Sequence, residues 1–578
     1  MRAAVALFVF CFSTLVQLRE VPPPKTFPVE AQIVYVHVAV TDSRGRSVRD
    51  LGVADFALYE DGRAVPIVAF RAPVGASVPL DAAAPTPAGT GPATVEPPAE
   101  PVTFVVYVDN WNLTAQGRKR VLSGMASFLK EQLARGGTRA LVVAAGQEAR
   151  VLSPLTPDAE QIADALRRAE QEPAHGQRTR SDERQAIDVV KSILESRLGS
   201  CADLLMLQAP IHAQARSRSR DLERTLAWLE AVTQALGTLP GAKALFYLSD
   251  GLEQRPAIDL FHQLGDICPE VLQRDFSALF APMQEYDLSR AFQALAARAN
   301  AARVTVYPVD GSGLQGFSVG DVSQANRLFV PSPKTDAIRV TNLKAGQSIL
   351  AEETGGSAVF DANDPRAALG QIADQIRGDY ALGLAPGHAP EGRIHNLRVE
   401  LRKKGRRIRY TPSYFHAERA EPGATRTLAA LLVGLEEDTL GAEVSIDPWP
   451  EDGPLPTQTT RTAKIRIGVS LARLSAVEDA EGRHGRLRVV IAIWRPGALA
   501  KDRPLEVREK LIEVPLPPAV SDPGRREFVV EVPLGAEHRE VGVGVHDGFS
   551  RLTTYRRVRV GQGAGGSPWG ARVYSRQR

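Results

Sequence analysis

The 578-residue chain has only three cysteines, and aromatic residues make up 6% of it. Past residue 16 no apolar run is long enough to cross a bilayer as a helix, which takes about 20 residues. Charge of one sign is also missing: 70 Lys and Arg stand against 67 Asp and Glu, a net +3. No stretch gathers enough cations for nucleic acid to be the main partner, because phosphate binding needs a concentrated basic face. Beyond Cys11, only Cys201 and Cys268 are left. Their spacing matches no zinc pattern, and both a disulfide in an exported chain and two buried thiols fit.

The apolar share is 44% and the charged share 24%, as in ordinary globular proteins. The length suits roughly three to four domains of about 150 residues. The chain opens with Arg2 and an apolar run from Ala3 to Val16, a pattern expected of a secretory signal over 1–20. No small-x-small cleavage site follows, so an uncleaved anchor also fits. Phe10 and Phe12 beside Cys11 suit a lipoprotein site poorly.

Residues 29–72 alternate apolar and polar, as in QIVYVHVAVTD and DFALYED, and predict a small β unit. Residues 73–101 are rich in Pro, Ala, Gly and Thr and read as an extended linker. From 102 to 416 strands alternate with helices. Helices are expected over 116–134, 158–170, 182–236 with a break at 199–201, 287–301 and 364–378. This alternation predicts an α/β fold with a doubly wound, mostly parallel sheet. Residues 430–561 return to short strands punctuated by Gly and Pro, expected as a C-terminal β-sandwich, and 562–578 read as a disordered tail.

Two strand-like runs end on aspartate: 102–110 (VTFVVYVDN) and 243–251 (KALFYLSDG). Parallel sheets bind ligands at the carboxyl ends of their strands, and two carboxylates brought there begin a hard-cation site. Four local patterns, at 40–62 (VTDSRGRSVRDLGVADFALYEDG), 105–114 (VVYVDNWNLT), 243–251 and 354–384 (TGG to DYALGL), occur in this order. Together with 395–415 they resemble the von Willebrand factor A domain, and more narrowly the secreted VWFA-related proteins of acidobacteria. The resemblance implies a Rossmann-like sheet with β units on either side. It also implies a metal-ion-dependent adhesion site of D-x-S-x-S, a Thr on a second loop and an Asp on a third.

Asp109 fits the first position, but Trp111 and Leu113 stand where the two serines belong. Asn112 and Thr114 offer oxygens one residue away, and Asp250 fits the third loop. Thr179 and Ser181 are candidates for the second. An ion held by Asp109, Asn112, Thr114 and Asp250 would be Mg²⁺ or Ca²⁺, since no softer ligand converges. The opposing reading makes Asp109 and Asp250 caps of sheet ends and helix N-termini.

Other motifs point less far. Residues 311–316 (GSGLQG) match G-x-G-x-x-G, but the sequence after them is a poor helix start. Residues 316–320 (GFSVG) match G-x-S-x-G around Ser318, with no strand running into the serine, and nothing places His388 or His395 beside it as a base. The basic run 402–409 (RKKGRRIR) reads as a hairpin between exposed strands. The expected function is that of an exported, non-enzymatic interaction protein, which binds a protein partner at the top of the A-type domain, through a partner carboxylate if an ion is held. An architectural surface protein that has lost its metal site, and an extracytoplasmic serine hydrolase, are the alternatives.

Overall fold

The computed structural model describes residues 33–73, 102–195 (less 148 and 154), 201–269 (less 202, 203, 238 and 240–242), 281–314, 332–388, 393–416, 427, 430, 437–447, 461–479, 482–494, 506–516, 524–534, 540–550 and 552–559. The expected signal at 1–20, linker residues 74–101 and the tail from 562 lie outside them.

The described chain opens with β1 (Val34–Thr41), β2 (Phe56–Glu60), β3 (Arg63–Val65) and β4 (Ala69–Arg71). Their period of two buries Val36, Val38 and Val40 on β1, and Phe56 and Leu58 on β2. Asp61 and Gly62, both at positive φ (47° and 81°), make the tight turn between β2 and β3.

An α/β unit follows: β5 (Val102–Asp109), α1 (Ala115–Ala134), β6 (Thr138–Ala145), β7 (Ala149–Val151), α2 (Ala159–Gln171), α3 (Gly176–Glu195), α4 (Leu204–Leu236), β8 (Lys243–Ser249), α5 (Ile258–Ile267), α6 (Ser289–Ala301), β9 (Val304–Asp310), α7 (Pro333–Thr354) and α8 (Arg366–Arg377). The sheet order is β7-β6-β5-β8-β9. β6, β5, β8 and β9 run parallel, and β7 lies antiparallel to β6. The apolar runs are unbroken because both faces are covered. Phe104, Val106 and Val108 face a layer with Met125 and Phe128 of α1, Ile162 of α2 and Ile372 of α8. Val105 and Tyr107 face the opposite layer, with Leu229 and Leu236 of α4, Phe292 of α6 and Leu350 of α7.

Past this unit come β10 (Tyr380–Leu384), β11 (Arg393–Leu401), β12 (Arg407–Tyr410) and β13 (Ser413–His416). They pair with the first strands of the chain. One antiparallel sheet has the order β12-β1-β10-β4, the other β13-β11-β2-β3. The two share a core of Val36, Val38, Phe56, Leu58, Tyr380, Leu382, Leu397 and Val399. The β unit expected over 29–72 is therefore completed by residues that the sequence pattern grouped with 102–416, and the α/β unit is inserted between β4 and β10. Residues 402–406 correct the hairpin expected at 402–409: β11 pairs with β2 and β13, whereas β12 pairs with β1, so this basic turn carries the chain from one sheet to the other.

The C-terminal region adds β14 (Glu437–Asp438), β15 (Glu443–Ile446), β16 (Arg461–Ser470), β17 (Val477–Asp479), β18 (Gly482–Trp494), β19 (Glu506–Pro515), β20 (Arg525–Leu534), β21 (Glu540–Asp547) and β22 (Thr553–Arg559). One sheet runs β14-β22-β21-β18-β17 with β19 also on β18, and the other runs β15-β16-β20. Ile465 and Val532 from one share a core with Val489, Ile491 and Val543 from the other.

Candidate functional site

Three neighbouring strands of the parallel sheet end at carboxylates: Asp109 closes β5, Asp250 follows β8 and Asp310 closes β9. Asp109 is 1% exposed. Its Oδ2 accepts hydrogen bonds from the Tyr247 hydroxyl, from Asn112 Nδ2 at 2.7 Å and from the Ser249 hydroxyl at 3.2 Å, and its Oδ1 accepts the Asn112 N–H at 3.2 Å. Burial raises the Asp109 pKa above the usual carboxylate value, and these donors oppose the shift.

Asp250 serves a different element. Its Oδ2 accepts the Thr114 N–H at 2.8 Å, while the Thr114 hydroxyl accepts the Gly117 N–H at 3.1 Å and caps α1. The carboxylate is wedged so closely that a Cβ at Gly117 would stand 2.1 Å, and one at Gly311 2.5 Å, from Asp250 Oδ1. The negative charge thus meets the positive end of the α1 dipole. Asp310 accepts from the Ser312 N–H at 2.9 Å and from its hydroxyl at 2.7 Å. Its pKa is raised to about 6, by burial first and by the Asp250 charge as a lesser cause.

This sheet end lies beneath a helical layer. His175 N–H donates to Asn110 O at 2.8 Å, and Gly176 N–H donates to Leu113 O at 3.0 Å. A Cβ at Gly176 would lie 2.5 Å from Asn112 O, so the start of α3 presses on the loop after β5. From α4, Arg224 stacks 3.9 Å over the Trp111 ring, and Thr225 Oγ1 lies 3.4 Å from Asn112 Nδ2. The His175 ring stands 5.0 Å from Trp111. The layer has its own core: Ile187 and Val190 of α3, Leu207 and Ile211 of α4, Leu260 and Phe261 of α5, and Met283 and Tyr286. A Cys201–Cys268 disulfide joins the turn before α4 to the end of α5. Arg218, 4% exposed, reaches Glu253 at 2.9 Å and Asp259 at 3.6 Å. A cavity of about 70 Å³ remains between layer and sheet end, lined by Trp111, Asn112, Thr114, Arg218, Asp221 and Asp250 among others. That is room for one or two waters, or for one small polar group.

The four residues expected to share an ion thus fall into two pairs, Asp109 with Asn112 and Thr114 with Asp250. Both Asp109 oxygens face hydrogen-bond donors, and Asn112 turns its amide nitrogen to the carboxylate, so this donor set as it stands does not fit a Mg²⁺ or Ca²⁺ ion. Trp111 is held by α4, and Leu113 is fully buried. Thr179 and Ser181 lie on α3, with side chains outside the described residues, and Ser318 lies outside them altogether. No helix begins within 311–314; the chain bends there and Gly311 packs on Asp250. Among the described residues, the set of three His, Cys, Asp or Glu ligand atoms lying within 4.8 Å of one another is elsewhere, at Glu60, His388 and His395. Sequence reasoning missed Tyr247 and Ser249 as partners of Asp109, although both sit in the KALFYLSDG run, two residues apart. It also missed Arg218, which nothing in its surroundings distinguishes from the neighbouring solvated arginines.

No family model matches the chain, and no curated protein matches it. Among solved structures, it is similar to an aerotolerance-related membrane protein of Bacteroides fragilis at 12% identity and a TM-score of 0.23, over 48% of this chain and 98% of that one. Conserved hypothetical protein BatB of Bacteroides thetaiotaomicron shows 11% identity and a TM-score of 0.19, with the same coverage. A von Willebrand factor type A structure from Catenulispora acidiphila shows 11% identity and a TM-score of 0.20, over 92% of this chain and 75% of that one.

Proposed function

We propose that this chain is an exported, non-enzymatic interaction protein of the von Willebrand A type, flanked by β-sandwich units. Its binding face is the helical rim above the carboxyl end of the central sheet. Export is supported by the Cys201–Cys268 disulfide, which persists in oxidising compartments, and by the apolar leader at 3–16. The observation that carries the binding reading is Trp111. This half-buried indole is clamped between His175 and Arg224 at the mouth of the cavity, and Trp and Arg are the side chains most often found as anchors of protein interfaces. A partner side chain small enough for the cavity would be read by Asn112, Arg218 and Asp221.

The Mg²⁺ or Ca²⁺ form of this reading requires Asp109, Asn112, Thr114 and Asp250 to release their present partners. The ion-free form does not. The near-complete burial of Asp109 favours a second reading, an architectural surface protein whose sheet end is closed. Affinity capture with cross-linking from the native cell envelope separates the two. Under the interaction reading, Trp111→Ala loses a partner that the unmodified chain retains; identical capture by both chains rejects it. Calorimetric titration with Mg²⁺ and Ca²⁺ is expected to give no stoichiometric heat, and a one-to-one isotherm would restore the ion-dependent form.

A further inference from the structure

The inward rows of β2, β11 and β13 change character at one end. On β11, His395, Leu397 and Val399 face the core while the residues between them are exposed. On β2, Phe56, Leu58 and Glu60 face the core, with half-buried residues between them. Two titratable side chains thus occupy positions that the period of two assigns to apolar groups. The register gathers them: His395 lies opposite Tyr414 on β13, and Glu60 lies opposite Leu397, diagonal to His395. His388, the last described residue of the segment after β10, brings a second imidazole. The His388 and His395 rings stack with centroids 4.3 Å apart, and His395 and Tyr414 stack at 5.2 Å.

We propose that Glu60, His388 and His395 bind a divalent transition-metal ion of the zinc type, with one coordination position left open. One ligand atom from each residue lies within 4.8 Å of the others. His388 Nε2 and Glu60 Oε1 are 3.3 Å apart. Two ligands at about 2.0–2.1 Å from a tetrahedral zinc ion stand about 3.3 Å from each other, so one edge of the coordination figure is already set. Two nitrogens and one carboxylate oxygen form a donor set suited to zinc rather than to Mg²⁺ or Ca²⁺. The supporting contacts are also in place. Asp61 Oδ2 lies 2.9 Å from His395 Nδ1, which leaves Nε2 as the ligating atom, and Asp61 Oδ1 is fixed by the Asn396 N–H at 2.9 Å. This carboxylate–histidine pairing is the usual means of orienting a metal-bound imidazole. The Tyr414 hydroxyl donates to Glu60 and steadies the third ligand. His395 is fully buried and His388 about one quarter exposed, so the open position faces solvent on the His388 side.

The test uses the full chain, stripped with a chelator and titrated with Zn²⁺ by calorimetry, and with Co²⁺ followed by visible absorption. The expected result is one ion per chain, a four-coordinate Co²⁺ spectrum and a Tm that rises with Zn²⁺. His388→Ala and Glu60→Gln are expected to weaken binding at least about 100-fold, and Asp61→Asn, which alters only the orienting group, about 10- to 100-fold. His388 is partly exposed, so its variant is expected to keep the wild-type circular dichroism and to separate ligand loss from misfolding. The absence of stoichiometric Zn²⁺ binding overturns the proposal. So does binding that survives both His388→Ala and Glu60→Gln.

Discussion

Single residues at the sheet end do opposite things in similar clothing. Gly117 and Gly370 both sit in helices, where replacing Gly by Ala ordinarily gains about 0.5–1 kcal/mol. A Cβ at Gly370 meets nothing within 4 Å, so Gly370→Ala is expected to show that gain in urea unfolding. A Cβ at Gly117 meets the Asp250 carboxylate at 2.1 Å, so Gly117→Ala is expected to cost about 1–3 kcal/mol through overpacking. A gain at Gly117 would mean that Asp250 is not seated on α1. Asp310 gives a pH signature. Its pKa rises from 3.8 to about 6 on folding, so between those values the folded chain holds a proton that the unfolded chain has released. Its contribution to stability therefore falls as pH rises from about 4 to about 6 and is flat above. Asp310→Asn keeps an acceptor for Ser312 without the charge. It is expected to match the parent chain near pH 4 and to exceed it by up to about 3 kcal/mol at pH 7. A difference that does not vary with pH would refute this account. Asp109 and Asp250 were legible as strand-end residues, because a β-branched run stopping on a carboxylate shows locally. Their partners were not legible, because Tyr247 reaches Asp109, and Thr114 and Gly117 meet Asp250, from other elements.

At the scale of elements, the helical layer over the sheet end was legible in α3 and α4, which stand where 182–236 was expected to be helical with a break at 199–201, but not in α5. Alternation revealed α1, α2, α6 and α8 to within a few residues of their ends, because each lays an apolar stripe on the sheet. The 22-residue α7 escaped it, since its buried side carries Thr335, Asp336, Asn342, Gln347 and Thr354 rather than an apolar row. Its caps were readable all the same: Ser332 accepts the Thr335 N–H, Pro333 opens the helix and Gly355 closes it at φ 77°. In the layer made by α3, α4 and α5, the small core is supplemented by the Cys201–Cys268 bond, which closes a loop of 67 residues in sequence. Replacing both cysteines by serine is expected to cost about 2–4 kcal/mol. Hydrogen exchange would locate the loss in α3, α4 and α5, and protection in β5 and β8 should hardly change. Uniform loss of protection across the α/β unit would show instead that the layer and the sheet unfold as one.

For the whole molecule, the decisive pairing joins residues more than 300 apart. Val34 lies opposite Leu384, and Phe56 opposite Leu401. Each strand displayed its period of two, but a period names a face and not the partner that covers it. For that reason the α/β unit looked like a domain running to 416, when its last four strands belong to a core begun at Val34. A chain beginning at 102 would therefore retain the parallel sheet yet uncover Tyr380, Leu382, Leu397 and Val399, leaving β10 with neither of its neighbours and β11 without β2. Exposed edges with an apolar face drive association. Residues 102–416 expressed alone are expected to aggregate, whereas 30–416 should stay monomeric by light scattering. The shorter chain ended at 379 should also stay monomeric, because the strands that need the first segment are then gone. Should 102–416 prove as well behaved as 30–416, the shared core would contribute little to the fold, and the two β segments would be independent of each other.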